Sequence, residues 1–172
     1  MTQLDPAPPA TTSDERADLV QTLDRHRGFL LHTVRGLTEE QARLRPTVSQ
    51  NSLGSLLKHV AATEARWADF AVRGAEAFAD AGASWAEEWA VAPEDTLEGL
   101  LRRYAEVAAR TDELVRTLDL DAAHPLPPAP WFERGAAWSA RRVFLHVLAE
   151  TAQHAGHADI LREAIDGAKT MG

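Results

Sequence analysis

Residues 139–167, SARRVFLHVLAETAQHAGHADILREAIDG, carry a helical stripe with two residues out of place. Ser139 is a good N-cap and Gly167 a good C-cap, so one long helix is expected between them. Its inner face reads Val143, Val147, Glu150, His154, Ala158, Leu161 and Ile165, in steps of three and four. Val, Leu and Ile belong on a face that packs into a core. Glu150 and His154 do not, because an uncompensated buried carboxylate costs several kcal/mol. Two adjacent polar positions on such a face call for something that compensates both.

Working outward, the preceding stretch holds Leu97, Leu100, Leu101, Tyr104, Val107, Thr111, Leu114, Val115 and Leu118 on the same period. Asp95 and Glu98 are its expected cap and reciprocal partner. Between these helices, residues 119–138 contain PLPPAP, with Trp131 and Trp138 close by. Prolines forbid regular helix there and predict an extended crossing segment. A further helix is expected from Asn51 or Ser52 to Gly74, with Leu53, Leu56, Leu57, Val60, Trp67 and Phe70 inward.

The first helix should begin near Ser13, with Thr12 and Glu15 at capping-box spacing. Its face reads Leu19, Leu23, His26, Leu30, Thr33 and Leu37. The run LTEEQARLRP adds a short turn of helix that stops before Pro46. Residues 75–93, with Phe78, Trp85 and Trp89, read as a long connection with some local helix. Residues 1–12 and 168–172 read as tails, which leaves 13–167 as one domain. No strand-like alternation of useful length appears. The expected fold is all-α, an antiparallel four-helix bundle with long connections between helices 2–3 and 3–4.

Composition narrows the function. The chain has 172 residues, 45% apolar and 26% charged, as in ordinary globular domains. A net charge of −8 argues against nucleic-acid binding, which needs clustered basic side chains. No apolar run approaches the roughly 20 residues of a membrane span. No basic segment followed by an apolar core opens the chain, so a cytoplasmic location is expected. There is no cysteine, which removes disulfides, thiolate metal sites and cysteine nucleophiles. Most of the serines look like caps, none lies in a G-x-S-x-G turn, and no Gly-rich phosphate loop is present.

A divalent cation would compensate Glu150 and His154 together. Residues at i and i+4 lie one turn apart on one face, and their tips can converge on one ion. His59, on the edge of the second helix's apolar face, is the best third donor. One carboxylate and two imidazoles leave a coordination position open, as catalytic sites do. In the plainer alternative, Glu150 and His154 pair with each other, with Arg141 or Arg142 as neighbouring cations. His146 and His157 flank the pair by one turn, as further ligands, as groups that steady the ligand rings, or as surface residues. His26 and His32 are expected to be packing or surface residues, and His124 to sit in a solvated loop. Trp85, Trp89 and Trp131 lie in the connections, as anchors or as walls of a substrate pocket.

The run FLHVLAETAQHAGHADILREAIDG, from Phe144, resembles the last helix of the DinB-like superfamily. The resemblance is nearest the branch that includes mycothiol-dependent maleylpyruvate isomerase. SLGSLLKHVAATEARW, residues 52–67, resembles the second helix of the same superfamily, and the likeness extends over about residues 13–167. It implies a four-helix bundle with a metal in its core. Many members use one histidine of the second helix and an H-x-x-x-H pair of the last. His59 and His154 match two of these, and Glu150 stands where the first histidine of the pair would be. The isomerase branch resembles this chain in using His, Glu and His.

The resemblance further implies a thiol-dependent S-transferase or isomerase with mycothiol as co-substrate and a small-molecule electrophile as partner. Zinc is the expected metal, and nickel, iron and manganese suit the same donors. A metal-dependent hydrolase, with His146 or His157 as base, and a non-catalytic metal- or ligand-binding protein are the alternatives. Homodimerisation is left open, since no sequence feature specifies an interface.

Overall fold

The structure is a computed structural model, and residues 14–79 and 89–170 are described here. The expected cap residues Thr12 and Ser13, the tail 1–12, Trp85 and the end of the C-terminal tail lie outside these residues. Four long helices dominate: α1 (Glu15–Thr33), α3 (Leu53–Arg73), α5 (Leu97–Thr117) and α6 (Ala140–Asp166). Two short helices, α2 (Glu39–Arg43) and α4 (Glu76–Ala79), and two three-residue strands, β1 (Ala123–Pro125) and β2 (Ala137–Ser139), fill the connections. The fold is all-α, as expected.

Helix ends follow local chemistry. Ser52 accepts the Ser55 N–H, and Ser55 Oγ accepts the Ser52 N–H in return, closing a capping box at the start of α3. Ser139 caps α6 by accepting from Arg142 N, and Gly167 ends it in the left-handed conformation at φ 78°. Two caps differ from expectation by a residue or two. Asp14 caps α1, accepting from Arg16 N. Thr96 caps α5 through Gly99 N, because Asp95 is engaged elsewhere, by Lys58 Nζ at 2.7 Å and Ala92 N at 2.8 Å.

Each long helix packs against two others: α1 against α5 and α6, and α3 against α5 and α6. Ion pairs fix the directions. Arg141 meets Glu15, so α1 and α6 start at the same end. Arg162 at the far end of α6 donates to the carbonyls of Thr33 and Arg35. Likewise Lys58 meets Asp95 and Arg110 meets Asp69, so α3 and α5 run together. Two helices therefore run each way, with a parallel neighbour beside each. The segment between α3 and α5 must return the length of the bundle, which explains its length.

The core has two apolar clusters. One gathers Leu30, Leu53, Leu56, Leu57, Val60, Leu100 and Leu161. The other gathers Leu23, Trp67, Phe70, Val115, Val143, Phe144 and Val147. A charged layer crosses the middle. Arg27 is 3% exposed and Glu64 1%, and Arg27 Nη2 donates to Glu64 Oε1 at 2.5 Å. Arg27 Nη1 also donates to Asp112 at 2.8 Å and Asp24 at 3.0 Å. Burial works against the charge on Arg27, but Glu64 and then Asp112 outweigh it and raise its pKa. Arg27, not His26, thus holds the central inward position of α1. His26 lies half-buried against Phe29.

The segment expected to be extended forms a small antiparallel ladder, with Ala123 opposite Ser139, His124 opposite Trp138 and Pro125 opposite Ala137. His124 is not in open solvent. Its ring lies against Phe70 and over Gly74, where a Cβ would come within 3.0 Å of His124 Nδ1. Gly74 also needs φ +67° to end α3, so glycine is required there twice over.

Candidate metal centre

Capping at Ser52 and Ser139 sets the axial position of α3 and α6, which run in opposite directions and face each other. His59 projects from the second turn of α3, and Glu150 and His154 from successive turns of α6. One ligand atom from each of these three residues lies within 4.8 Å of the others. The rings of His59 and His154 meet edge to face at 4.9 Å. His154 Nε2 is 3.5 Å from Glu150 Oε2, and His59 Nε2 is 3.4 Å from Thr63 Oγ1. Both histidines are buried, and Glu150 is half-buried.

The donor set fits a divalent ion. Nδ1 of His59 and Nδ1 of His154 are buried with no hydrogen-bond partner, a costly arrangement for polar atoms. Burial, with the nearby His154 adding to it, lowers the pKa of His59 to about 4. The hydrogen bond with His154 holds Glu150 below the usual carboxylate range despite burial, and His146 assists. At neutral pH the site therefore offers a neutral imidazole at His59 and an ionised carboxylate at Glu150, the states that metal binding requires. Imidazole and carboxylate together suit zinc and its first-row neighbours.

Of the plainer alternative, the Glu150–His154 pair is present, and both arginines are engaged elsewhere. Arg141 binds Glu15 and Asp121 at the start of α6, and Arg142 stacks over Trp138 at 4.9 Å.

Two aromatic groups border the cluster. Trp89 lies flat on His59, with ring centroids 3.8 Å apart and planes 17° from parallel. The segment that carries Trp89 is strapped down by cations. Lys58 Nζ donates to Ala90 O and Asp95, and Arg43 donates to the carbonyls of Val91, Ala92 and Asp95. A cleft of about 400 Å³ opens beside the cluster, bordered by His59, Glu150, Arg66, Trp67, Trp131 and His146.

The family model described as mycothiol-S-transferase matches residues 18–167. The chain belongs to the mycothiol-S-transferase family. This agrees with the DinB-like superfamily to which the sequence pointed. Among solved structures, a conserved protein from Enterococcus faecalis superposes with a TM-score of 0.69. At 17% identity, covering 91% of this chain and all of that one, it supports the fold alone. No curated protein matches.

In this mycothiol-S-transferase family member, the flanking histidines part company. His146 lines the cleft, 3.8 Å from Glu150 and edge-on to Trp67 at 4.7 Å. Burial lowers its pKa, with Glu150 opposing. His157 is exposed, and its ring lies 5.5 Å from that of His154. Of Trp89 and Trp131, left open between anchor and wall, the first packs on His59 and the second lines the cleft. The Arg27–Glu64 layer escaped the sequence reading, although Glu64 lies five residues beyond His59 on a helix otherwise buried by apolar side chains. No described helix is long and apolar enough to cross a membrane.

Proposed function

We propose that the chain holds one divalent cation, zinc in the first instance, through His59, Glu150 and His154, and transfers a low-molecular-weight thiol to a small electrophile. The observation that carries this is the convergence of three donors beside an open cleft, in a member of the mycothiol-S-transferase family. A bound cation supplies positive charge that favours a thiolate over a thiol at neutral pH. The chain has no cysteine, so the sulfur nucleophile comes from outside.

The chain's own residues supply the rest. Glu150 contributes negative charge to the donor set and is steadied by His154. Trp89 covers one face of His59 and keeps water from it, so access is from the cleft. Trp67 and Trp131 line that cleft and exclude water from whatever enters. His146, between Glu150 and Trp67, supports the carboxylate from the side of the cleft.

The test is metal analysis of untagged protein followed by calorimetric titration with mycothiol. About one metal per chain, with thiol binding that is lost on chelation, is expected. One metal without a thiol response would move the assignment to a hydrolase or a binding protein. No metal after incubation with zinc, nickel or manganese would leave Glu150 and His154 as a buried polar pair.

A further inference from the structure

The cleft beside the donor cluster has a wall that thiol chemistry alone does not explain. Trp67 and Trp138 stack at 4.9 Å and 20°, and Phe132 meets both edge-on, at 6.4 and 5.7 Å. Phe78 adds a further edge at 5.2 Å from Trp67. Trp67, Phe78 and Phe132 line the cleft, and Trp138 backs Trp67. Trp131 stands edge-on to Phe132 at 6.1 Å, and 78% of its surface is exposed. A large indole kept in water beside a built cleft marks a contact surface for a ligand. It is presented from a chain segment stiffened by Pro127, Pro128 and Pro130, so little conformational entropy is lost when a ligand docks.

The second half of the chemistry is charge. Arg66 is the one arginine or lysine among the described residues that line the cleft. Burial lowers its pKa, which is the sign of a guanidinium partly withdrawn from water and strengthened as an anion partner. The ionised Glu150 carboxylate lines the same cleft, so within it an anionic end is favoured at Arg66 and disfavoured beside Glu150. A guanidinium beside aromatic faces, in a space of about 400 Å³, matches a small flat molecule with an anionic end.

We propose that the cleft selects a planar π-conjugated molecule bearing an anionic group, its ring placed against Trp131 and its charge against Arg66. As the electrophile's identity, this rests on the thiol-transfer function above; as a binding property, it stands without it. Trp131 and Arg66 are then specificity-determining residues.

The experiment is calorimetric titration of the full chain with unreactive probes, before and after EDTA treatment. The probes are 2-naphthoate, 2-naphthol and cyclohexanecarboxylate. 2-Naphthoate should bind roughly tenfold tighter than either of the others, because it alone has both the ring and the charge. Arg66→Gln should remove the preference for naphthoate over naphthol, and Arg66→Lys should restore part of it. Trp131→Ala should weaken both aromatic probes, and Trp131→Phe should recover them. Trp131 is exposed, so its variants should fold as the parent does.

Equal binding of cyclohexanecarboxylate and naphthoate would overturn the proposal. So would a naphthoate affinity indifferent to Arg66→Gln, or displacement of naphthoate by N-acetylglucosamine at similar concentration, which would reassign the wall to a sugar. Because EDTA removes any metal, failure here leaves the metal and thiol assignments untouched. Failure of metal binding likewise leaves the probe result standing.

Discussion

The indole of Trp89 covers the imidazole of His59 face to face, 3.8 Å away, while Lys58 and Arg43 hold the segment that bears it. Packing of this kind fixes the ring plane of His59. Trp89→Ala should therefore weaken zinc binding by roughly tenfold or more, as loss of outer partners of metal ligands does. Trp89→Phe should recover most of the affinity. Competition with a chromophoric chelator measures both, and equal affinities for all three proteins would remove Trp89 from the site.

Substitution of the donors should separate the metal centre from the other histidines. Glu150→Gln and His154→Ala should each reduce the metal content well below one per chain, whereas His26→Ala should leave it intact. His26 packs on Phe29, away from the cluster. Full stoichiometry in both donor variants, read by elemental analysis, would refute the assignment.

Arg27 and Glu64 make a different kind of prediction, since they concern the fold. Removing one member of a buried ion pair strands the other, at a cost of about 3–5 kcal/mol. Glu64→Ala should show a loss of that order in urea unfolding. The double variant Arg27→Met/Glu64→Leu should recover most of it, because two apolar side chains of similar volume leave no charge unpaired. If the double variant is no more stable than Glu64→Ala, the layer does more than balance its own charge.

Acid should destabilise the metal-free protein through His59. Its folded pKa is about 4, against 6.5 for the free group. Between these values the unfolded chain takes up a proton that the folded chain refuses, so stability falls as pH falls through this window. The shift corresponds to about 3 kcal/mol for this one group. The difference in unfolding free energy between pH 7 and pH 4.5, read by urea titration, should therefore shrink by that order in His59→Gln relative to the parent. An unchanged pH slope in the variant would mean that His59 is not the group responsible.

Much of this was readable in the chain itself. Ser52, Ser139 and Gly167 marked helix ends because each satisfies backbone groups that the helix leaves open. Glu150 and His154 stood out because polar side chains interrupt an otherwise apolar stripe. The charged layer was not readable. Leu23 to Leu30 can be bridged by His26 or by Arg27 with equally good helical steps, and only Glu64 on a distant helix decides between them. Asp95 and Thr96 are both competent caps, and Lys58 settles which is free to act. Trp89 could not be placed from sequence, because its connection has no periodicity and its partner lies 30 residues earlier. Direction was hidden too: that α1 and α6 run side by side the same way follows from Glu15 and Arg141 meeting, a contact between residues 126 apart in sequence.

The β1–β2 ladder has a consequence of another sort. It pins residues 123–125 to 137–139, and backbone bonds from Arg141 to Leu120 and from Ala140 to Ala122 extend the clamp to the first turn of α6. The intervening loop, with Trp131 and Phe132, is thereby anchored independently of its own length and sequence. A loop closed at its base can be rewritten at little entropic cost to the bundle. The donors sit on α3 and α6, outside that loop. Changes in that loop can thus reshape the cleft around Trp131 while leaving the proposed donor cluster in place.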